Sequence, residues 1–309
     1  MVKKYKTVII LVNYNGFEDT EACIKSIADV NGELPFIIVV DNNSKDQASL
    51  KILHQIYDPL HIIMNDNNIG FGRANNVGIQ WTQKNLEFEY LLLLNNDTLI
   101  EQNTIEQLIK PFLQDPKIGI TTGKIMYEAD RELVWYGGGD INYFKGWPLI
   151  ADLNRQATPN GANMSRYISF ASGCLMMFTW DSLVKLKGFN DNFFMYCEDL
   201  ELSIRARKLN VKIYYESEAK IFHKVNASMS NRSNITGIKI NNPNLDFQFY
   251  NKKVNQFYAM KIHLKTVDFL LFNIYFWFKY ITQSILFILG GRVSFIKTSY
   301  KTLVKIIIT

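Results

Sequence analysis

Cysteine is scarce in this 309-residue chain, which contains three cysteines with neither metal-site spacing nor a nucleophile signature. Three thiols cannot build a disulfide framework, so we expect a reducing compartment, with Cys23, Cys174 and Cys197 packed in the core. A G-x-G-x-x-G fingerprint and a Walker loop are both missing, which argues against a dehydrogenase and a P-loop NTPase. The glycine-rich N-terminal loop of nucleotidyltransferases is missing too, and the short apolar run Val8–Val12 does not indicate a secretory signal.

Acidic residues are almost absent from the C-terminal segment. Residues 252–309 contain nine Lys or Arg and one acid, Asp268, whereas residues 1–251 contain 25 Lys or Arg and 28 Asp or Glu. A slightly acidic body with a basic tail argues against a general nucleic-acid-binding protein and points to an anionic surface that the tail alone meets. With 48% hydrophobic and 20% charged residues, the chain has the composition of a folded protein with a sizeable core.

Short apolar runs alternate with amphipathic stretches over the first 120 residues. We predict helices near 19–30, 46–57, 72–84 and 101–114, between strands at Val8–Val12, Phe36–Val40, His61–Met64 and Tyr90–Leu94. Continuous apolar strands separated by helices are typical of a parallel sheet that is covered on both faces. Farther along, we predict a helix that begins near Glu198 and a loop over the Asn- and Ser-rich residues 226–250.

Polar clusters follow three of the predicted strands: Asn13–Gly16, Asp41–Ser44 and Asn95–Thr98. Each cluster alone has the composition of a turn. Ligands of open α/β sheets bind beyond the carboxyl ends of the strands, so three clusters in the same position favour a site at that edge.

Few side chains outside these clusters suggest chemistry. Asp97 suits a divalent cation on phosphate oxygens, or the cap of a following helix. Glu198 and Asp199 suit a general base, or the negative charge that a helix start favours. His223 suits a metal or phosphate ligand, or a structural role. Taken one at a time, these residues leave both readings open.

In order along the chain, the motifs resemble those of the inverting family 2 glycosyltransferases, and most of all the rhamnosyltransferase-like branch of bacterial surface-polysaccharide synthesis. The resemblance covers about residues 7–228 and rests on the three clusters, Asn68–Gly72 with Asn76, Gly123–Ile125, Trp135–Gly138, Ser172-Gly173, Gly188–Asp199, Arg205 and His223. It implies an α/β GT-A fold, with a Rossmann-like, mostly parallel sheet flanked by helices and followed by an apolar and basic helical extension. It also implies one in-line displacement, in which the acceptor hydroxyl attacks the sugar of a nucleoside-diphosphate donor.

The resemblance implies specific roles for residues of this chain. Asp199 would be the base, Glu198 would orient the acceptor or support the helix start, and Asp97 and His223 would bind Mg²⁺ or Mn²⁺ on the donor diphosphate. Asp97 ends the family's D-x-D-type element, in which Asn95 replaces the first Asp. Asp41 would contact the base, and the nucleotide-sugar site would be formed by Val12, Asn13, Asn15, Asp41, Asn43, Asn68, Gly70, Arg73, Asn76 and Asn96.

We therefore expect a glycosyltransferase domain over 1–250, with a nucleotide-sugar half (1–120) and an acceptor half (121–250), and a membrane-associating helical segment over 251–309. Lys297, Lys301 and Lys305 recur every four residues among apolar side chains, which suits a helix in an anionic membrane interface or a helical pair packed on the core. Phe269–Gly291 is long enough to span a bilayer but contains Lys279.

The function expected is transfer of a sugar, first of all L-rhamnose from dTDP-rhamnose, to a lipid-linked or nascent glycan acceptor. The place expected is the cytoplasmic face of the bacterial plasma membrane, where residues 266–309 would hold the chain peripherally; a homodimer is left open. The alternative, motivated by Asn95, is a non-catalytic subunit that binds a nucleotide sugar or acts as a scaffold in polysaccharide assembly.

Overall fold

The computed structural model describes residues 3–30, 32–225, 244–292 and 295–308, which form two compact units. The first unit comprises Met1–Asp140, Ile150–Phe194 and Glu198–Val225, and the second comprises Ile141–Leu149, Met195–Cys197 and Asn226–Thr309. The boundary that we expected at residue 250 falls inside a helix, Leu245–His263.

The N-terminal part of the first unit alternates strands and helices as predicted. Its elements are β1 (Lys3–Asn13), α1 (Phe17–Ala28), β2 (Phe36–Asp41), a 3-10 turn (Ser49–Ile52) that continues into α2 (Leu53–Ile56), β3 (Leu60–Met64), α3 (Phe71–Asn85) and β4 (Leu86–Asn95). The helix predicted near 46–57 is present, but helical structure begins three residues later, at Ser49. The Asp46 carboxylate accepts hydrogen bonds from the amide and hydroxyl of Ser49 and so forms a turn before it.

The later part of the first unit has shorter strands. Its elements are β5 (Thr98–Ile100), α4 (Thr104–Gln114), β6 (Ile118–Tyr127), β7 (Val134–Tyr136), β10 (Arg166–Ile168), β11 (Leu175–Thr179), α5 (Trp180–Leu186), α6 (Glu198–Lys208) and β12 (Lys212–His223). Between β7 and β10 the chain forms β8 (Gly139–Asn142) and β9 (Trp147–Ile150), whose residues 141–149 belong to the second unit. Helix α6 begins at Glu198, as predicted.

One mixed sheet has the strand order β10-β12-β6-β11-β4-β1-β2-β3, with β5 beside β12 and β7 beside β6. Strands β4, β1, β2 and β3 are mutually parallel, as predicted. Strand β11 is antiparallel to both β4 and β6, so the parallel order does not extend across the sheet. From β6 to β11 the described chain contains no helix, and it therefore lacks the crossover that parallel neighbours need.

A bulge in β12 determines which residues of the neighbouring strands its last residues pair with. Along β12 the partner of Glu216 is Gly123 and the partner of Lys220 is Lys124, so β12 carries three extra residues, Ser217–Ala219, against β6. Gly123 makes room for this bulge, since a Cβ there would lie 2.4 Å from the carbonyl oxygen of Ala219. After the bulge, His223 pairs with Tyr127 on one side and with Thr98 on the other.

The second unit contains three helices in its described part: α7 (Leu245–His263), α8 (Thr266–Leu289) and α9 (Phe295–Ile308). The predicted loop 226–250 lies largely outside the described residues, and its last six residues are helical because α7 begins at Leu245. Buried aromatic rings of Phe249, Phe257, Phe272 and Phe276 form the centre of this unit.

Close packing of α3 on the sheet makes a prediction about Gly78. A Cβ at this position would lie 2.8 Å from Cγ2 of Ile10 and 3.2 Å from Cγ2 of Val40. Overpacking of this kind costs about 1–3 kcal/mol, which exceeds the gain of about 1 kcal/mol in helix propensity. We expect Gly78→Ala to lower the free energy of unfolding in urea, whereas Gln80→Ala, at an exposed position of the same helix, should leave it unchanged or higher.

Candidate active site

The strand register brings the three polar clusters together at one edge of the sheet. Asn13 at the end of β1 pairs with Asp41 of β2, and Val12 pairs with Asn95 of β4. The strands are held in this register because their apolar side chains are buried on both faces. The crevice that the sequence predicted is therefore formed by neighbouring residues of adjacent strands.

Asp41 organises the turn after β2. It is fully buried, and its Oδ1 accepts hydrogen bonds from Asn13 Nδ2 (2.8 Å) and the Ser44 hydroxyl. Its Oδ2 accepts from the Ser44 amide (2.9 Å) and from Gln47 Nε2 (3.2 Å). Both carboxylate oxygens already have protein partners, so Asp41 fixes the turn after β2. Its contact with the nucleotide base stays a prediction.

Asn13 connects the same turn to α1. Its side chain is buried, and Oδ1 accepts from the Thr20 hydroxyl at 2.9 Å. Asn96 donates to that hydroxyl at 2.8 Å, so the β4 cluster is tied to α1 as well. Asn15 accepts from the Lys45 amide at 2.9 Å, and it shares with exposed Asn43 a left-handed backbone, with φ of 53° and 67°. Val12 is half-buried.

Asn42 is a site residue to which sequence reasoning assigned no role. Its side chain is buried, donates to Asn68 Oδ1 (2.9 Å) and the Gly70 carbonyl (3.3 Å), and accepts from the Ile69 amide (3.0 Å). These bonds join the end of β2 to the loop before α3. Gly70 has φ of 88°, and a Cβ there would lie 2.1 Å from the Phe194 carbonyl oxygen, so the close approach requires glycine.

Two of the predicted donor-site residues on α3 hold the loop that precedes α6. Asn76 donates to the Phe189 carbonyl (2.8 Å) and to Asp191 Oδ1 (2.9 Å), and it accepts from the Phe189 amide. Arg73 Nε donates to the Asp191 carbonyl at 2.6 Å. Because the Asn76 amide is satisfied within the protein, we interpret it as a loop anchor, and its contact with the donor stays a prediction.

Asp97 and His223 form a pair because β5 and β12 are neighbours. Thr98 pairs with His223 in the antiparallel register, and His223 Nε2 lies 3.1 Å from Asp97 Oδ1. Burial acts to lower the pKa of His223, but the neighbouring Cys174 and the hydrogen bond with Asp97 outweigh it and raise the pKa to about 10. The Trp135 ring covers the imidazole edge-on, with a centroid distance of 4.8 Å.

The pair fits a divalent cation that takes its remaining ligands from a diphosphate. Among the described residues, no group of three or more His, Cys, Asp or Glu side chains could hold a metal by itself. One carboxylate and one imidazole are suitable ligands for Mn²⁺ or Mg²⁺, which commonly complete their coordination with substrate phosphates and water. Because only the neutral imidazole can bind a metal, the cation would have to displace the proton that His223 holds in its absence. Asn95 Oδ1 is buried without a hydrogen-bond partner in the described chain, so this oxygen could still accept a hydrogen bond or bind a cation.

Glu198 and Asp199 begin α6 in different environments. Glu198 is buried, its Oε2 has no hydrogen-bond partner in the described chain, and burial together with the Asp199 charge raises its pKa to about 8. Burial also raises the pKa of Asp199, but its carboxylate accepts from the amides of Gly173 (3.2 Å) and Leu200 (2.8 Å), which oppose that shift. Because amide hydrogen bonds stabilise its carboxylate, Asp199 is the member of the pair that more readily holds the negative charge.

The turn before β11 forms hydrogen bonds both to Asp199 and to the strand end that leads to Asp97. The Gly173 amide donates to Asp199, and the next carbonyl, of Cys174, accepts from the Asn95 amide at 3.0 Å, two residues before Asp97. The sequence motif Ser172-Gly173 gave no sign of this bridging role, which depends on how β11 lies beside β4. The three buried cysteines are free thiols, as predicted.

This geometry agrees with the comparison with known proteins. The model of glycosyl transferase family 2 matches residues 8–176, more than half of the chain. The chain belongs to this family. The match covers the strand-end clusters and the bridging turn of the family 2 glycosyltransferase described here, whereas α6 and β12 lie beyond it.

Curated relatives extend the match. The rhamnosyltransferase WbbL of Escherichia coli is 25% identical over 239 residues, 73% of this chain and 86% of that protein. The low-salt glycan biosynthesis hexosyltransferase Agl10 of Haloferax volcanii is 28% identical over 66% of this chain. The poly-beta-1,6-N-acetyl-D-glucosamine synthase of Staphylococcus aureus is 26% identical over 67% of it. The chain spans 62% and 47% of the lengths of these last two proteins.

Solved structures confirm the predicted GT-A fold. GalNAc-T7 with UDP, GalNAc and Mn²⁺ has a TM-score of 0.62 at 14% identity, covering 83% of this chain and 48% of its own. The mannosyltransferase PcManGT of Pyrobaculum calidifontis, in complex with GDP-Man and Mn²⁺, has a TM-score of 0.56 at 16% identity, covering 97% of this chain and 75% of its own.

The environment of Glu198 predicts how the stability of this family 2 glycosyltransferase changes with pH. Folded Glu198 keeps its proton to about pH 8, whereas the unfolded carboxyl loses it near pH 4.5. Raising the pH through this window favours the unfolded chain, by up to about 1.4 kcal/mol per pH unit. We expect Glu198→Gln to flatten the fall in the free energy of unfolding between pH 5 and pH 8, measured by urea titration.

The control for this measurement is Glu87→Gln, which changes an exposed carboxylate of β4. It should leave the pH dependence of the wild type intact. A Glu198→Gln profile parallel to that of the wild type would show that Glu198 is ionised in the folded protein.

Proposed function

We propose that the protein is an inverting, metal-dependent glycosyltransferase that moves a sugar from a nucleoside-diphosphate donor to a hydroxyl of a lipid-linked or nascent glycan. The observation that carries the proposal is the link from Asp199 through Gly173 and Cys174 to the strand end that bears Asp97. This link supports the proposal because it joins the Asp199 carboxylate, which would take a proton, to the strand end whose Asp97 would bind a metal together with His223.

Asp97 and His223 would hold Mg²⁺ or Mn²⁺ against the donor diphosphate. A divalent ion there supplies positive charge that stabilises the departing nucleoside diphosphate. Two structurally similar proteins contain Mn²⁺ together with UDP or GDP-mannose, which supports the same ligand class for this chain. The loops fixed by Asp41 and Asn42 would form the wall of the nucleotide pocket.

Asp199 would act as the base. Its ionised carboxylate takes the proton of the acceptor hydroxyl, whose oxygen forms the new bond to the anomeric carbon while the bond to the diphosphate oxygen breaks on the opposite side. A single displacement of this kind inverts the anomeric configuration and needs one carboxylate. Glu198 is buried, and its raised pKa favours the protonated form. The pair would then carry a single negative charge, on Asp199.

Rhamnose is the sugar to test first. The rhamnosyltransferase of Escherichia coli is similar over 73% of this chain, and the other two relatives act in glycan or polysaccharide synthesis by their names. We therefore place the reaction in the assembly of a surface glycan, with dTDP-rhamnose as the first donor.

The second unit would bind an anionic membrane surface from the cytoplasmic side. One stripe of α8 packs inward through Phe272, Phe276 and Tyr280, while a second apolar stripe is exposed at Val267, Leu270, Ile274, Phe278, Ile281 and Leu289. Helix α9 exposes Ile296, Tyr300 and Ile307 next to Lys297, Lys301 and Lys305. Apolar side chains beside lysines suit lipid tails and anionic headgroups. Within the described part of the chain, no helix is both long enough and apolar enough for a membrane span.

Replacing the proposed base tests the chemistry. We expect Asp199→Asn to reduce transfer by at least about a hundredfold, because general base catalysis typically contributes that much. Donor binding, measured by titration calorimetry with dTDP-rhamnose and other nucleotide sugars in the presence and absence of Mn²⁺, should stay within about twofold of the wild type.

The matched control is Asp181→Asn, which removes an exposed acid from the first turn of α5 and should leave transfer intact. Transfer by Asp199→Asn at the wild-type rate would refute the base assignment. Donor binding by a wild-type protein that transfers no sugar to any acceptor would instead favour the non-catalytic alternative.

Polar substitutions in the exposed stripe of α8 test the membrane proposal. The double variant Ile274→Asn/Phe278→Asn replaces side chains that are 69% and 66% exposed, so it should fold and yet lose binding to phosphatidylcholine–phosphatidylglycerol vesicles in a flotation assay. Leu113→Asn, at a position of α4 that is 75% exposed in the first unit, should bind like the wild type. Equal flotation of all three proteins would contradict the proposal.

A further inference from the structure

The backbone immediately before the two active-site acids is held in an unfavourable conformation. Tyr196 and Cys197 have φ of 68° and 67°, and neither is glycine. A left-handed backbone costs an L-residue about 1–2 kcal/mol, so two such residues in succession persist only where other contacts hold them. The next residue is Glu198, the first of α6, and Asp199 follows it.

A buried side chain of α7 holds this segment. Asn255, on α7, is 7% exposed, and its Nδ2 donates to the carbonyl oxygens of Met195 at 2.9 Å and Tyr196 at 3.0 Å. Both hydrogens of one amide are thus used on consecutive carbonyls, which fixes the peptide plane between Tyr196 and Cys197. The Lys252 ammonium lies 4.8 Å from the centre of the Tyr196 ring and adds a weaker contact.

The N-terminal side of the segment is fixed within the first unit. The Phe194 carbonyl accepts from the Phe71 amide at 3.0 Å, next to the glycine that allows this approach. Only three residues lie between Phe194 and Glu198, and Asn255 donates hydrogen bonds to the carbonyls of two of them. The direction in which α6 starts, and with it the position of the Asp199 carboxylate, therefore depends on the left-handed pair.

We propose that Asn255 is a positioning residue for the active-site acids: by holding Tyr196 and Cys197 in the left-handed conformation, it sets the first turn of α6. Its effect on catalysis rests on the proposed function, whereas its effect on α6 does not.

Asn255→Ala tests the proposal against Asn251→Ala in the full-length protein. Asn251 is a buried asparagine of the same helix, but its amide donates within α7, to the Phe247 carbonyl, so this variant controls for loss of a buried amide. We expect Asn255→Ala to increase amide hydrogen exchange at residues 199–202 and to lower kcat by at least about tenfold, with the KM for the donor within about twofold. Asn251→Ala should change neither quantity.

A glycine at position 197 provides a rescue that a purely structural defect would not show. Glycine adopts positive φ without the Cβ penalty. Adding Cys197→Gly to Asn255→Ala should therefore raise kcat at least about threefold above that of Asn255→Ala, whereas adding it to Asn251→Ala should leave kcat unchanged. Equal exchange in the two alanine variants, or no rescue by glycine, would overturn the proposal. If the wild type itself transfers no sugar, the proposed function fails, and the exchange measurement still decides whether Asn255 positions α6.

Discussion

Apolar side chains of β1 lie between those of β2 and β4, and the register that they impose determines where every polar strand end lies. Val8 to Leu11 are completely buried, as are Ile37 to Val40 on one side. A slip of one residue would turn each of these side chains to the opposite face. Because the register is so strongly held, Asn13 meets Asp41 and Val12 meets Asn95. Burial of apolar side chains therefore determines which polar residues meet at the site.

The strands and the main helices of the first half could be predicted from the sequence, because continuous β-branched and leucine runs have few alternatives to a buried parallel sheet. Asp97, Asp199 and His223 stood out by their positions at element ends, but their roles were implied by the family resemblance and stay predictions. Pattern reasoning failed for Asn42 and Gly173, since their roles come from neighbours far along the chain. It gave no direction for the later strands, because short strands without helices between them carry little information on direction.

Asparagine amides do much of the structural work at this edge of the sheet. Asn13 and Asn76 were expected in the donor site and Asn42 was not, and each of the three has its amide engaged by other parts of the protein. A buried amide offers two donors and an acceptor without a charge, so it can join three segments at low desolvation cost. Such residues fix loops whose backbone groups and remaining side chains are then free to meet a ligand.

The bulge in β12 affects the site through the number of residues in the strand, and not only through side-chain chemistry. His223 reaches Asp97 because Ser217–Ala219 are accommodated over Gly123, and strand pairing then resumes with Lys220 opposite Lys124. Removing one of these three residues would draw the strand back by one position and turn the imidazole to the other face of the sheet. The number of residues in this stretch is therefore as much a determinant of the site as the histidine itself.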